Sequence, residues 1–479
     1  METNQFNQFY KNDWNIDKAL IALTPFVLLL ILVWMPEEWV VESSLLCISI
    51  VSYIIFTYKN RLIYGFSGIR IFSIPSIIIA TYTAFISIPS IYVLMIRDSS
   101  SESAYFYSII LFYYLFPAGL FVGQLLSGID YKRVHGLLLG GFYKEKNDKI
   151  FYEIALVTFS FCLLILFGYL LRVNEIPLLE LIKNPGDNLK FALLREDALK
   201  VLQMTKIEKY LFHWLRSLFI PFGIVSSLFL YSAYDRNKYK YLFFIFLFFG
   251  LVVNSLTLEK SPIAAIFLSV ATFVLLKKEK INLKLVFSLM IVILSGPILV
   301  SYMLFIDRAD VFEVLLWSYI NRIFVTPAEV LYYYFQYFPE THDFLMGRST
   351  QIFSWLSIEG TFNVSNYVAK LWWNVSDTTG SANANYLGNY WSDFGWYGTT
   401  ISTFVLGVII HLYQRIILEA TNYTKNILYI TTISVSAPLF TFGFFSSNFT
   451  ILFFTKGLFL LILFLFGYNY WQKNAAKQM

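Results

Sequence analysis

Apolar residues come in long blocks along this chain, separated by short polar or charged stretches. A helix needs about 20 consecutive apolar residues to cross a hydrocarbon core about 30 Å thick. By that measure the pattern predicts about twelve spans. They lie near 19–35, 43–58, 71–96, 104–127, 150–171, 211–233, 241–257, 262–276, 285–305, 396–414, 427–446 and 449–470. The third carries Pro75 and Pro89 and is long enough to tilt. The fold class is therefore an all-α polytopic membrane protein, with residues 1–479 as one integral membrane domain.

The connecting segments set the orientation. Lys59, Arg61 and Arg70 follow the second span, Lys132 to Lys149 the fourth, Arg236 to Lys240 the sixth, and Lys277 to Lys284 the eighth. The intervening segment 36–44 has no Lys or Arg, and 97–104 has one. Lys and Arg concentrate on the cytoplasmic side of short loops, so every second loop and both termini are expected inside. Two outer loops are long, 172–210 and 306–395. Long loops cross regardless of charge. They are rich in Trp, Tyr, Phe and Leu, which argues against disorder. Short helices lying on the outer face, or dipping into it, are expected there.

Composition sharpens the picture. The chain is 57% hydrophobic, 20% aromatic and 14% charged, against about 25% charge in soluble domains. The bilayer is the solvent, and no nucleic-acid partner is expected. Cys47 and Cys162 fall in apolar runs and say nothing of disulfides. The first residues are polar and lack a signal-peptide pattern, so the first span is expected to act as an uncleaved signal. No phosphate-binding glycine loop, HExxH or Cys/His cluster occurs, so neither a metal nor a cofactor is expected.

Charges that survive in such a chain are candidates for chemistry. Glu259 and Lys260 stand between two apolar runs, ahead of Ser261-Pro262. Ser and Pro suit a helix start, and helix starts attract anions. An ordinary tight turn with two interfacial charges fits as well. In the first long loop, 190–203 has an apolar stripe bordered by Arg195, Asp197 and Lys200, with Glu196 and Asp197 as acidic neighbours of Arg195. That pattern fits an interfacial helix, and equally an anion site in which the Arg fork meets a phosphate. Arg322 lies in an apolar, aromatic stretch. It is either an anion ligand or the partner of Glu329, two turns along the same face. Arg348 follows Gly347 in a turn whose amides would suit an anion. Residues 381–402 crowd Asn383, Asn385, Tyr386, Trp391 and Asp393 with glycines. They read as an interfacial belt or as a surface for sugar rings. Glu37 and Glu38, in an outer loop of only a few residues, read as interfacial charges or, as an acidic pair, as a metal-binding site.

Taken in order, the stretches at 172–197, 255–263, 321–349 and 382–398 resemble the Wzy-type oligosaccharide repeat-unit polymerases of bacterial O-antigen and capsule assembly. The likeness covers nearly the whole chain in topology. It implies a GT-C-like glycosyltransferase architecture in the inner membrane. The implied reaction moves a glycan from undecaprenyl diphosphate onto a new lipid-linked repeat unit at the periplasmic face. Donor and acceptor lipid-linked glycans, the bilayer and a chain-length regulator are the implied partners. In that reading Arg195, Lys260, Arg322 and Arg348 stabilise the diphosphate, and Glu259 positions Lys260 or a neighbouring Arg. Asn383, Asn385, Tyr386 and Trp391 contact sugar. Glu196, Asp197, His342, Asp343 and Asp393 are open candidates for the base. An O-antigen ligase and a lipid-linked oligosaccharide flippase are the rival readings.

Overall fold

The computed structural model describes residues 16–60, 62–66, 68–97, 101–129, 148–173, 175–183, 204–278, 320–350, 360–376, 380–424, 426–446 and 449–478, with a few single positions elsewhere. Among the described residues the regular structure is helical. Among the described residues ten helices are long and apolar enough to cross a membrane, and an eleventh apolar helix, Leu458–Trp471, is shorter. The chain is therefore a multi-pass membrane protein. Ten of the expected spans coincide with the ten long helices, and the last with the Leu458 helix. The ninth, 285–305, lies outside the described residues, as does most of the first long loop.

The chain folds as two compact units, the first from residues 1–139, 320–415 and 443–450, the second from 140–319, 416–442 and 451–479. In the first unit, the Ile16–Trp34 helix turns nearly its whole surface outward, with Leu23, Phe26, Leu32 and Val33 at least half exposed. Beyond Asp17 and Lys18 in its first turn the helix is almost entirely apolar, and such an uncovered stretch suits lipid contact. Behind it, Glu102–Ser127 crosses the Tyr386–Ala420 helix at Gly119 and Gly407. A methyl group on Gly119 would sit 2.1 Å from the Phe404 carbonyl oxygen, and one on Gly407 2.3 Å from that of Phe116. Small residues at such crossings let membrane helices pack backbone to backbone.

The second long loop contributes the helices Thr326–Tyr337 and Val364–Trp373 to this unit. The first buries Leu331, Tyr332, Tyr334 and Phe335. Tyr105 donates to the Ala328 carbonyl at 2.9 Å and pins it to the 102–127 helix. The second starts at Asn363, whose side chain accepts from the Asn366 amide.

In the second unit, Lys206–Tyr234 packs among Asp148–Leu170, Asn237–Ser255 and Lys260–Lys278. Thr205 and Glu208 close a reciprocal capping box at its start, satisfying two end amides. Tyr169 stacks on Phe212 at 3.9 Å, and Gly223 lies against the Phe246 ring.

Among the described residues four widened turns occur, in which a backbone N–H reaches the carbonyl five residues back; three interrupt a continuing helix and the fourth ends just before the Leu458 helix. They lie at Thr83–Ser87, Leu215–Phe219, Asn321–Val325 and Ile451–Thr455. Such π-turns occur mostly singly and often at functional sites. Arg216 and Arg322 lie within two of them, and the Lys456 N–H closes a third onto the Ile451 carbonyl.

Candidate functional site

The Glu259 turn is the centre of an ionic cluster in the second unit. The Asn237–Ser255 helix ends there, and Leu258 takes a left-handed conformation, φ 55°. That is uncommon for a bulky residue and stored at special sites. The next helix starts at Lys260, so Pro262 falls in its first turn as the sequence predicts, while Ser261 lies inside the helix rather than at its cap. Glu259 Oε2 stands 2.5 Å from Arg216 Nη2. Arg216 is 3% exposed and Glu259 27%, and Nη2 has no other acceptor among the described residues. Arg216 Nε donates to Asn254 Oδ1 at 3.4 Å, and its guanidinium lies 5.4 Å from the Phe212 ring centre.

Lys456 is held beside this pair by its backbone. Ser217 Oγ donates to the Lys456 carbonyl at 3.0 Å, and the Trp214 indole donates to the Phe454 carbonyl at 2.8 Å. Gly457, at φ 83°, lies against the Trp214 ring, which a Cβ would approach to 3.0 Å. Burial works to raise the Glu259 pKa. The charge of Arg216 and then of Lys456 outweighs it, and the carboxyl is held below its ordinary value. Lys456 itself makes no ion pair among the described residues.

Charge counting gives the cluster its character. Arg216 and Lys456 contribute two positive charges and Glu259 one negative; with His213 taken as neutral these four sum to +1, and Lys260, next to Glu259, adds a further positive charge. Asn254 is fully buried, and its Nδ2 has no hydrogen-bond partner among the described residues. Surplus charge and an unused donor at the end of an apolar bundle are suited to an anion. Among the described residues, no three of His, Cys, Asp and Glu gather as a metal site would require.

The residues expected from sequence are placed as follows. Arg195, Glu196 and Asp197 lie outside the described residues. Lys260 is half-buried beside Glu259. Arg322, Arg348, Asn383, Asn385, Tyr386, Trp391 and Asp393 belong to the first unit, so the expected cations are not gathered in one unit. Arg322 is exposed on its widened turn. Of its two readings, the pair with Glu329 is not the one formed, because Glu329 binds Arg97 at 2.5 Å. Arg348 Nε donates to the Gly360 carbonyl at 3.3 Å, with its guanidinium 5.8 Å from the Phe362 ring. Asp393 is fully buried and accepts from Ser349 Oγ at 2.5 Å and Ser349 N at 2.9 Å. Its carboxylate fixes the 345–350 turn against the long helix. Tyr386 and Trp391 are buried as well, bonded to Thr403 and to the Phe338 carbonyl. Asn385 is buried, its Nδ2 without a partner among the described residues, while Asn383 is exposed and donates to Ser381.

Sequence reasoning missed Arg216, Lys456, Asn254 and Arg97. The first two carried a signal, for each is a lone cation inside a segment read as a span. Together the helices and the cluster define the class: an all-helical, multi-pass membrane protein with a cationic site at the Glu259 turn. Comparison with known proteins takes it no further, since no family model, curated protein or solved structure matches this chain.

Proposed function

We propose that the chain is a membrane glycosyltransferase that polymerises undecaprenyl-diphosphate-linked repeat units, with the Arg216–Lys456 cluster holding the diphosphate. The observation that carries this reading is the positive surplus of a largely buried cluster at the Glu259 turn. The alternation of basic and non-basic loops supports an outer position for that turn. In the reaction, an acceptor hydroxyl oxygen attacks the anomeric carbon of the donor glycan. The bond from that carbon to the diphosphate oxygen breaks, and the lipid diphosphate leaves with the electron pair. The hydroxyl proton passes to a base. Arg216 and Lys456 meet the charge that grows on the leaving oxygen, the kind of electrostatic stabilisation that contributes most in a water-poor site. Glu259 orients the Arg216 fork, and Asn254 Nδ2 is a further donor. Lys260 stands beside them. For the base, Glu196, Asp197, His342 and Asp343 stay open, joined by His213 beside the cluster.

The test is elongation of lipid-linked repeat units by the purified protein in nanodiscs. Arg216→Gln and Lys456→Met should each lower the rate on the order of 10²–10³, as loss of one oxyanion-hole donor does, while membrane levels hold. The wild type should work in EDTA. Gene loss in the producing cells should leave a single repeat unit on the acceptor. Loss of every repeat would instead favour a ligase, and full activity of both variants would remove the cluster from the chemistry.

A further inference from the structure

A second arrangement is different in kind, rich in rings and balanced in charge. It lies in the first unit, at the end that carries Arg97. Tyr333 and Tyr337, one helical turn apart, stack with centroids 5.7 Å apart and planes at 19°. Trp372, from the Val364–Trp373 helix, lies 5.4 Å from Tyr333 at 37°, and Trp373 5.8 Å further on at 32°. Tyr333 is 8% exposed and Trp373 44%, with Tyr337 and Trp372 between them in exposure. One buried ring thus backs a row of partly open ones. The Arg97 guanidinium stands 5.3 Å from the Tyr333 centroid and pairs with Glu329. Arg97 remains 38% exposed, and its Nε has no acceptor among the described residues.

An interfacial belt distributes amphipathic rings along the headgroup level. This shelf instead packs its rings on one another and ends on an ion pair, which hydrocarbon would disfavour. Flat apolar faces beside a planar donor and a carboxylate match one ligand chemistry well. A pyranose has an apolar C–H face and a rim of hydroxyl groups. We propose that the Tyr337–Trp372 shelf is a saccharide-binding site, with ring faces against sugar C–H groups and Arg97 and Glu329 bonding hydroxyls. The choice of saccharide, the glycan of a lipid-linked repeat unit, rests on the function proposed above; the shelf chemistry does not. A chain equipped in this way would retain a growing polymer between condensations.

The probe is the oligosaccharide released by mild acid from the lipid-linked pool of the producing cells. It is added to the full-length protein in nanodiscs and followed by saturation-transfer NMR and tryptophan fluorescence. Saturable binding is expected. Trp372→Ala should weaken it about tenfold, as removal of an aromatic stacking face does. Trp372→Phe, which keeps a ring, should retain most of it, and so guards against a folding defect. In cells, Trp372→Ala should shorten the polymer without abolishing the first condensation. Undiminished binding by Trp372→Ala, or no binding by a wild type that elongates, would overturn the shelf and leave the polymerase reading standing. Trp372-dependent binding by a protein that never elongates would keep the shelf and sink that reading.

Discussion

Replacing Glu259 with Gln takes the counter-charge from a guanidinium that water does not reach. Breaking a buried pair from one side costs about 3–5 kcal/mol, because the other charge is left uncompensated. Arg216 is 3% exposed, so Glu259→Gln belongs in that range. Glu259 is 27% exposed, so the reverse change, Arg216→Leu, leaves a carboxylate that water partly solvates and costs about 1–3 kcal/mol. Removing both charges with Arg216→Leu and Glu259→Leu should return stability close to wild type, since apolar replacements of a buried pair are often neutral. A domain stable by about 5–15 kcal/mol would feel the first change strongly. The order expected in thermal melts of detergent-purified protein is therefore Glu259→Gln lowest, Arg216→Leu next, and the double variant near wild type. Activity should not follow this order, because the double variant has lost the anion ligand and should stay inactive. The pH dependence has a definite sign. Glu259 is held below its ordinary pKa, so its contribution is complete above the unfolded value of about 4.3. It fades as pH falls through the lower folded value. Glu259→Gln should therefore lose less stability than wild type on acidification below about pH 4. A Glu259→Gln protein that melts with wild type, beside an Arg216→Leu protein that does not, would refute the reasoning.

Arg322→Lys should leave the melting point unchanged, because the side chain is exposed. Loss of glycan ladders at normal membrane levels would then mark a fork contact with phosphate, and full ladders would exclude it. Gly407→Leu should lower membrane levels sharply, since its Cβ would stand 2.3 Å from the Phe116 carbonyl oxygen and overpacking costs about 1–3 kcal/mol or more; wild-type levels on a blot would contradict the crossing. Reporter fusions at Asn188 and Phe362 should read outside, and those at Lys146 and Lys280 inside. An inside reading at either long loop would move the Glu259 turn to the wrong face for the proposed donor.

The spans were legible because length and apolarity decide them, whatever the helix packs against. The Glu259–Lys260 turn was legible for the same reason in reverse, as charge where hydrocarbon tolerates little. That argument applies equally to Arg216 within 211–233 and Lys456 within 449–470, and applied evenly it finds both. Its limit is pairing. Nothing in the spacing says that Glu259 will meet a residue 43 positions earlier, or that Glu329 will meet Arg97 across 232 positions and leave Arg322 without it. Helical periodicity reports neighbours within a few turns, and tertiary partners are set by helix crossings. Asp393 illustrates another limit. Its setting among Trp, Tyr and Gly suggested an open surface, but a serine across the 345–350 turn claims both carboxylate oxygens.

The widened turns give the chain an unusual relation to insertion and deletion. Each holds one residue more than the α-helical ladder requires, so each behaves as a single-residue insertion absorbed in place. Helix geometry turns about 100° per residue, and the apolar stripe after such a turn is out of phase with the stripe before it. Deleting a residue at 215–219 would let the ladder close regularly. The side chains beyond it would then rotate by that angle relative to those before it. Arg216 could keep its carboxylate, or Ile220 and Ile224 could keep their places in the core, but not both. The reading frame of the helix is therefore a specificity element in its own right, coupling the position of one cation to the packing of everything that follows it.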